Sequence, residues 1–246
     1  MHLTFIYIFH KKGEKYSQPF YELCSQGNSD VYDTPFVTWF FVFTDRTKGP
    51  IPPTMTSTFY VPDRALVIAA HCDDIEFGAS GTVARWTAAG SHVTYVIVTD
   101  SSSGDNTPDA DLEQLVRTRE AEQKASAAVV GVEDVRFLGY QDGILEPTLQ
   151  LRKHLTQLIR ELRPNAVMTF DPETIIPDGR AYINHPDHQA TAIAATYAIF
   201  PSAGSRPIFP ALLSAGYEPH IVDRAYFFLS NNTNHTIDIS TTMEKK

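Results

Sequence analysis

The sequence predicts an α/β fold in which helices cover both faces of a mostly parallel, doubly wound sheet. Three observations predict it. The unbroken apolar run Ala-Leu-Val-Ile-Ala-Ala at 65–70 is flanked by polar residues, as for a strand buried on both faces. Strand-like and helix-like stretches then alternate with short connections as far as residue 198. Finally, imidazoles and carboxylates gather after two of the apolar strands, where open parallel sheets bind ligands.

Residues 1–54 stand apart. They carry scattered aromatics, show neither strand nor helix periodicity, and end at the breaker Gly49-Pro50-Ile51-Pro52-Pro53. They are expected to form a leader outside a catalytic domain at 55–246. Within that domain, small residues after the first strand suit a tight turn into a helix over 79–89, closed by Gly90. Residues 92–99 are β-branched and strand-like. A Ser/Asp/Gly/Pro loop at 100–110 leads to a helix over 111–130, with Leu112, Leu115, Val116, Ala121, Ala125, Ala128 and Val129 near helical spacing. A short strand at 134–138 follows. The amphipathic stretch 149–162 places Leu151, Leu155, Leu158 and Ile159 on one side and stops at Arg163-Pro164. Residues 166–170 form a second buried strand, and 171–184 a long Pro/Asp/Gly loop of the kind that carries function. An Ala-rich helix at 189–198 and a strand at 224–229 complete the pattern. The closing Thr-Thr-Met-Glu-Lys-Lys reads as the opening of a helix cut short, so the domain is expected to be truncated there. Right-handed crossovers between such units give a Rossmann-like, three-layer arrangement.

At 246 residues there is room for one sizeable α/β domain and an appendage. A net charge of -9 argues against a nucleic-acid or anionic-membrane partner. With two cysteines, Cys24 and Cys72, and no positively charged start before the apolar residues, a reducing, cytoplasmic setting is expected. No apolar run approaches the roughly 20 residues needed to span a bilayer, so no integral membrane segment is expected.

The chemistry concentrates in two places. His71-Cys72-Asp73-Asp74 follows the first buried strand, and His185-Pro186-Asp187-His188 follows the last one before the Ala-rich helix. His71 and Asp74, three residues apart, can turn onto one ion where strand gives way to helix, with His188 as the distant third ligand. Three protein ligands plus water is the catalytic zinc arrangement; structural zinc closes all four positions, usually with cysteine. Asp73 then stands beside the ion, suited to taking a proton from water, and His185 can donate to a developing oxyanion or leaving nitrogen. The blander reading is a polar loop in which the Asp pair and the histidines merely cap helices.

These segments resemble the PIG-L/LmbE-like deacetylases, zinc-dependent enzymes acting on N-acetylglucosamine-type sugars. His71-Cys-Asp-Asp-Ile-Glu76 is similar to their His-Pro-Asp-Asp-x-Glu signature, and His185-Pro-Asp-His188 to their second. Arg119-Glu-Ala-Glu122, Gly131-Val and Phe137-Leu-Gly-Tyr-Gln-Asp-Gly143 match the intervening segments in order. The resemblance implies a Zn²⁺ cofactor held by His71, Asp74 and His188. It implies Asp73 as general base, His185 as electrophile or acid, and Asp187 as the residue orienting His185 or capping the next helix. Arg119 and Asp142 would contact an N-acetyl amino-sugar conjugate, although Arg119 also suits an ion pair with Glu122. Glu76 is expected to be structural. Two positions depart from the pattern: Cys72 replaces the usual Pro and adds a thiol near the ion, and Ser101 stands where Gly is common. A position needing positive φ would strain that serine. The competing readings are a catalytically impaired or fragmentary relative and a non-catalytic nucleotide-binding module, though 78–81 holds no G-x-G-x-x-G.

Overall fold

Among the described residues seven strands, all paired in parallel, lie in the order β4-β3-β2-β5-β6-β1-β7. They are β1 (His2–Phe9), β2 (Arg64–Ala69), β3 (His92–Thr99), β4 (Asp134–Tyr140), β5 (Ala166–Phe170), β6 (Arg224–Phe228) and β7 (His235–Asp238). The computed structural model describes residues 2–9, 59–178 and 182–246. From β2 the chain winds outward through β3 to β4, crosses back to β5, and continues outward to β6. The winding reverses between β2 and β5, and the carboxyl ends of these two strands open the crevice in which such folds bind ligands.

The helices are α1 (Asp74–Gly78), α2 (Ser80–Ala88), α3 (Leu112–Val129), α4 (Leu149–Leu162), α5 (Pro186–Tyr197) and α6 (Pro210–Ser214). Period-2 alternation divides the strand residues between two layers. Leu66, Ile68, Val96, Val98, Val167 and Phe227 share a core with Leu151, Leu155 and Ile159 of α4 and the alanines of α5. On the opposite face Trp86 of α2 is fully buried with its ring 5.5 Å from Tyr226. Helix α4 starts where the Thr148 hydroxyl accepts the Leu151 N–H and ends at Arg163, with positive φ, before Pro164. Pro186 opens α5 three residues before the Ala-rich stretch, because a proline is preorganised for the first helical turn.

Three expectations need correction. His2–Phe9, placed with the leader, forms a strand between β6 and β7; its run of aromatic and β-branched residues has strand propensity despite lacking clean alternation. The rest of the expected leader, residues 10–54, lies outside the described residues. In α3, Leu112 and Val129 are exposed, and Gln123 and Ala127 are buried instead. The residues that close the chain, 240–245, form turns rather than a helix, and the Thr242 hydroxyl donates to the Gly81 carbonyl of α2.

Leu155, fully buried between α4 and the sheet, sits in the middle of the core. Leu155→Ala is expected to lower unfolding stability by about 2–5 kcal/mol, read by denaturant titration.

Candidate metal centre

The site forms at the winding reversal. After β2 the chain turns sharply: Asp73 has φ 101, ψ −25, a backbone conformation that L residues rarely adopt. Four hydrogen bonds hold this turn. The Cys72 N–H donates to Ser101 Oγ at 2.9 Å, and the Asp73 N–H to Gln123 Oε1 at 2.9 Å. The Asp73 carbonyl accepts the Glu76 N–H at 3.0 Å, and the His71 N–H donates to Asp74 Oδ2 at 2.7 Å. Gln123 is itself anchored, donating to Glu76 Oε1, which also accepts the Ser126 hydroxyl. Glu76 is therefore structural.

The second strand supplies the other half. Phe170, the last residue of β5, stacks on the His188 ring with centroids 4.2 Å apart. The loop after it is tied down by buried Asp171, which accepts from Glu173 N–H and the Thr174 hydroxyl. Asn184 closes the loop, donating to the Thr174 carbonyl, while its Oδ1 lies 3.0 Å from His188 Nδ1. That contact places the proton on Nδ1 and leaves Nε2 free for an acid or an ion.

Asp74 joins the halves. Its Oδ1 is 2.9 Å from His188 Nε2, and its Oδ2 is 3.3 Å from His71 Nδ1. One ligand atom from each of His71, Asp74 and His188 falls within 4.8 Å of the others, which suits a single cation. Burial alone would lift the Asp74 carboxyl, but the hydrogen bonds from His188 and His71 outweigh it and hold it well below the usual carboxylate range. Burial likewise opposes charge on His71, yet Asp74, Asp142 and Asp187 prevail and raise its imidazole to about 9. The pocket therefore favours positive charge, and a mixed imidazole-carboxylate donor set fits zinc.

On its far side, His71 Nε2 lies 3.0 Å from Asp142 Oδ1 and 3.2 Å from Asp187 Oδ2. Carboxylates behind an imidazole fix its tautomer and aim its other nitrogen. Asp187 is fully buried, and its oxygens accept the Gly143 N–H at 2.7 Å and the Leu145 N–H at 3.1 Å. Gly143 presents its N–H from φ +87, a conformation glycine takes without strain. Asp187 thus faces His71 more closely than His185, whose Nδ1 is 4.0 Å away. The expected helix cap is inverted: His185 Nδ1 accepts the Asp187 N–H. That places the proton of neutral His185 on Nε2. Burial, then the positive His71, push its imidazole down, so near neutral pH it is an uncharged donor.

Asp142, which lines the same cleft, directs its carboxylate to His71 and to the Ser103 N–H at 2.9 Å. Arg119 Nη1 lies 3.6 Å from Asp73 Oδ2, so its observed ion-pair partner is Asp73. Burial, then the Asp74 charge, raise the Asp73 carboxyl, with Arg119 opposing. Among the described residues two groups of side chains could hold an ion, His71, Asp74 and His188 on one hand and His71, Asp142, His185 and Asp187 on the other, and the buried Cys72 thiol belongs to neither. These residues line a cleft of about 310 Å³. Asn184, Gln123, Ser103 and Phe170 escape a sequence reading, since their tasks are hydrogen bonds and ring contacts without a motif of their own.

Residues 66–199 match the family described as GlcNAc-PI de-N-acetylase, PIG-L. The chain is 33% identical over 184 residues to a diacetylchitobiose deacetylase of Thermococcus kodakarensis, covering 74% of this chain and 66% of that one. It is 34% identical over 167 residues to a 1D-myo-inositol 2-acetamido-2-deoxy-alpha-D-glucopyranoside deacetylase of Salinispora arenicola, covering 57% and 52%. Among solved structures it resembles the N,N'-diacetylchitobiose deacetylase of Pyrococcus horikoshii, with TM-score 0.68, 27% identity and coverage of 74% and 66%. The chain thus spans 66% or less of the length of these relatives.

Asn184→Ala, which removes the oxygen facing His188 Nδ1, is expected to weaken Zn²⁺ binding about 10–100-fold, measured by competition with a chromogenic chelator.

Proposed function

Because the chain belongs to the PIG-L family, we propose that it is a zinc-dependent hydrolase that removes the acetyl group from an N-acetylated amino sugar or a conjugate of one. The observation that carries this reading is the convergence of His71, Asp74 and His188 within 4.8 Å, with Asp73 and His185 flanking them. The deacetylase names of the relatives favour it over a nucleotide-binding module. The substrate is a small molecule, and the setting we infer is the cytoplasm; among the described residues no helix is long and apolar enough to cross a membrane.

His71 Nδ1, an Asp74 oxygen and His188 Nε2 would hold the zinc. Bound there, zinc supplies a Lewis acid that polarises a carbonyl and brings the pKa of water towards about 7. The chain's own groups do the rest. The raised Asp73 carboxylate is suited to accept the proton of the water that attacks the acetyl carbon. His185, neutral and protonated on Nε2, donates a hydrogen bond to the carbonyl oxygen as negative charge develops there. The proton held by Asp73 then passes to the departing nitrogen, so water and amide become acetate and amine. Arg119 neutralises part of the charge around Asp73 and, half-exposed at the cleft, is placed to contact a sugar hydroxyl. Asp142 and Asp187 serve by aiming His71.

Acetate release from N-acetylglucosamine conjugates, measured with metal content, tests this reading. His185→Ala is expected to keep its zinc and lose roughly 10²–10³ in kcat. Asp74→Ala is expected to lose both zinc and turnover; full zinc occupancy in that variant overturns the ligand assignment. Chelation should abolish acetate release, and Zn²⁺ should restore it.

A further inference from the structure

The peptide that joins His71 to Asp73 carries a metal ligand on one side and the base on the other. Its central residue, Cys72, is buried, and its N–H donates to the Ser101 side chain. Ser101 offers that hydroxyl from φ 55, ψ 33, the left-handed region where a side chain is strained and glycine is not. Its surroundings give it little freedom. Ser101 is buried, its N–H reaches Thr99 Oγ1 at 3.3 Å, and that hydroxyl donates to the Ala70 carbonyl at 2.8 Å. Two residues on, the Ser103 N–H and hydroxyl hold Asp142, whose carboxylate backs His71 Nε2. The segment 101–103 therefore grips His71 twice, through the neighbouring peptide and through Asp142. The next N–H along, that of strained Asp73, is held by Gln123 of α3. The turn that aims both groups is thus fixed from the β3 loop on one side and from α3 on the other.

We propose that Ser101 is a positioning residue for the hydrolysis, its hydroxyl fixing the Cys72 peptide and through it the directions of His71 and Asp73. This rests on the hydrolase reading above. The strain at Ser101 is tolerated because a glycine, though relaxed there, has no acceptor for the Cys72 N–H. A serine that merely stabilised the loop would behave differently when replaced by glycine, since relief of strain offsets the lost hydrogen bond.

The test compares wild type, Ser101→Gly, Cys72→Pro and the double variant Cys72→Pro/Ser101→Gly at saturating Zn²⁺. Proline brings no N–H, so the double variant lacks donor, acceptor and strained side chain together. Ser101→Gly is expected to melt near the wild-type temperature yet lose about tenfold in kcat, with KM nearly unchanged. Cys72→Pro, which leaves the Ser101 hydroxyl without its donor, is expected to show a loss of its own. The double variant should recover kcat to within about threefold of wild type, far from the product of the single losses. The Zn²⁺ dissociation constant should follow the same pattern, rising about tenfold in Ser101→Gly and returning in the double variant. Wild-type kcat in Ser101→Gly, or single effects that simply multiply, overturns the proposal. If the wild type releases no acetate, the hydrolase reading fails, and the zinc arm still decides whether the two positions are coupled. Should Cys72→Pro fail to fold alone, Ser101→Ala replaces it. That variant keeps the strain without the acceptor, so both melting temperature and zinc affinity are expected to fall; wild-type zinc affinity, whatever the melting temperature, overturns the proposal.

Discussion

Everything at this site depends on one buried carboxylate. Asp74 faces His71 with one oxygen and His188 with the other, and so joins the turn after β2 to the start of α5. A carboxylate removed from water is costly unless positively polarised groups surround it. Here two imidazoles and the His71 N–H meet that demand. The sheet makes the meeting unavoidable. β2 and β5 are neighbours at the point where the winding reverses, so whatever leaves their carboxyl ends must share one crevice.

The backbone around that carboxylate is held under strain. Asp73 and Ser101 both have positive φ without being glycine, a condition that costs of order 1–3 kcal/mol each and persists only when the surroundings over-determine it. The surroundings here are specific: Gln123 and Ser101 take the two consecutive N–H groups, and Asp142 and Asp187 back the imidazole from behind. Directional hydrogen bonds from the loops after β3 and β4 and from α3 and α5 thus converge on a four-residue segment. The bend sends the adjacent carboxylates different ways, Asp73 towards Arg119 and Asp74 between His71 and His188.

Much of this is legible in the sequence. Apolar runs such as 65–70 and 166–170 announce buried strands because both faces are covered. His71, Asp74 and His188 announce themselves by residue type and by their place after strands. What escapes the reading has physical reasons. Asp142 and Asp187 are acids near a site, and nothing in one dimension says that both turn onto His71 rather than outward. Helix α3 misleads because its buried side carries Gln123, recruited to the Asp73 N–H, in a place where apolar spacing predicts leucine or alanine. Cys72 and Ser101 look like two unrelated departures from a signature, and only the fold makes them the two ends of one hydrogen bond.

Phe170 belongs to two neighbourhoods at once. Its ring lies 4.7 Å from that of Phe228, against which Gly78 packs, and it stacks on His188. On this side the His188 ring is backed by the sheet's own interior. Any widening of the cleft to admit a bulky guest falls to the opposite bank, where exposed Ser103 and Gly104 border the cleft. The pocket is hinged, in effect, on one side only.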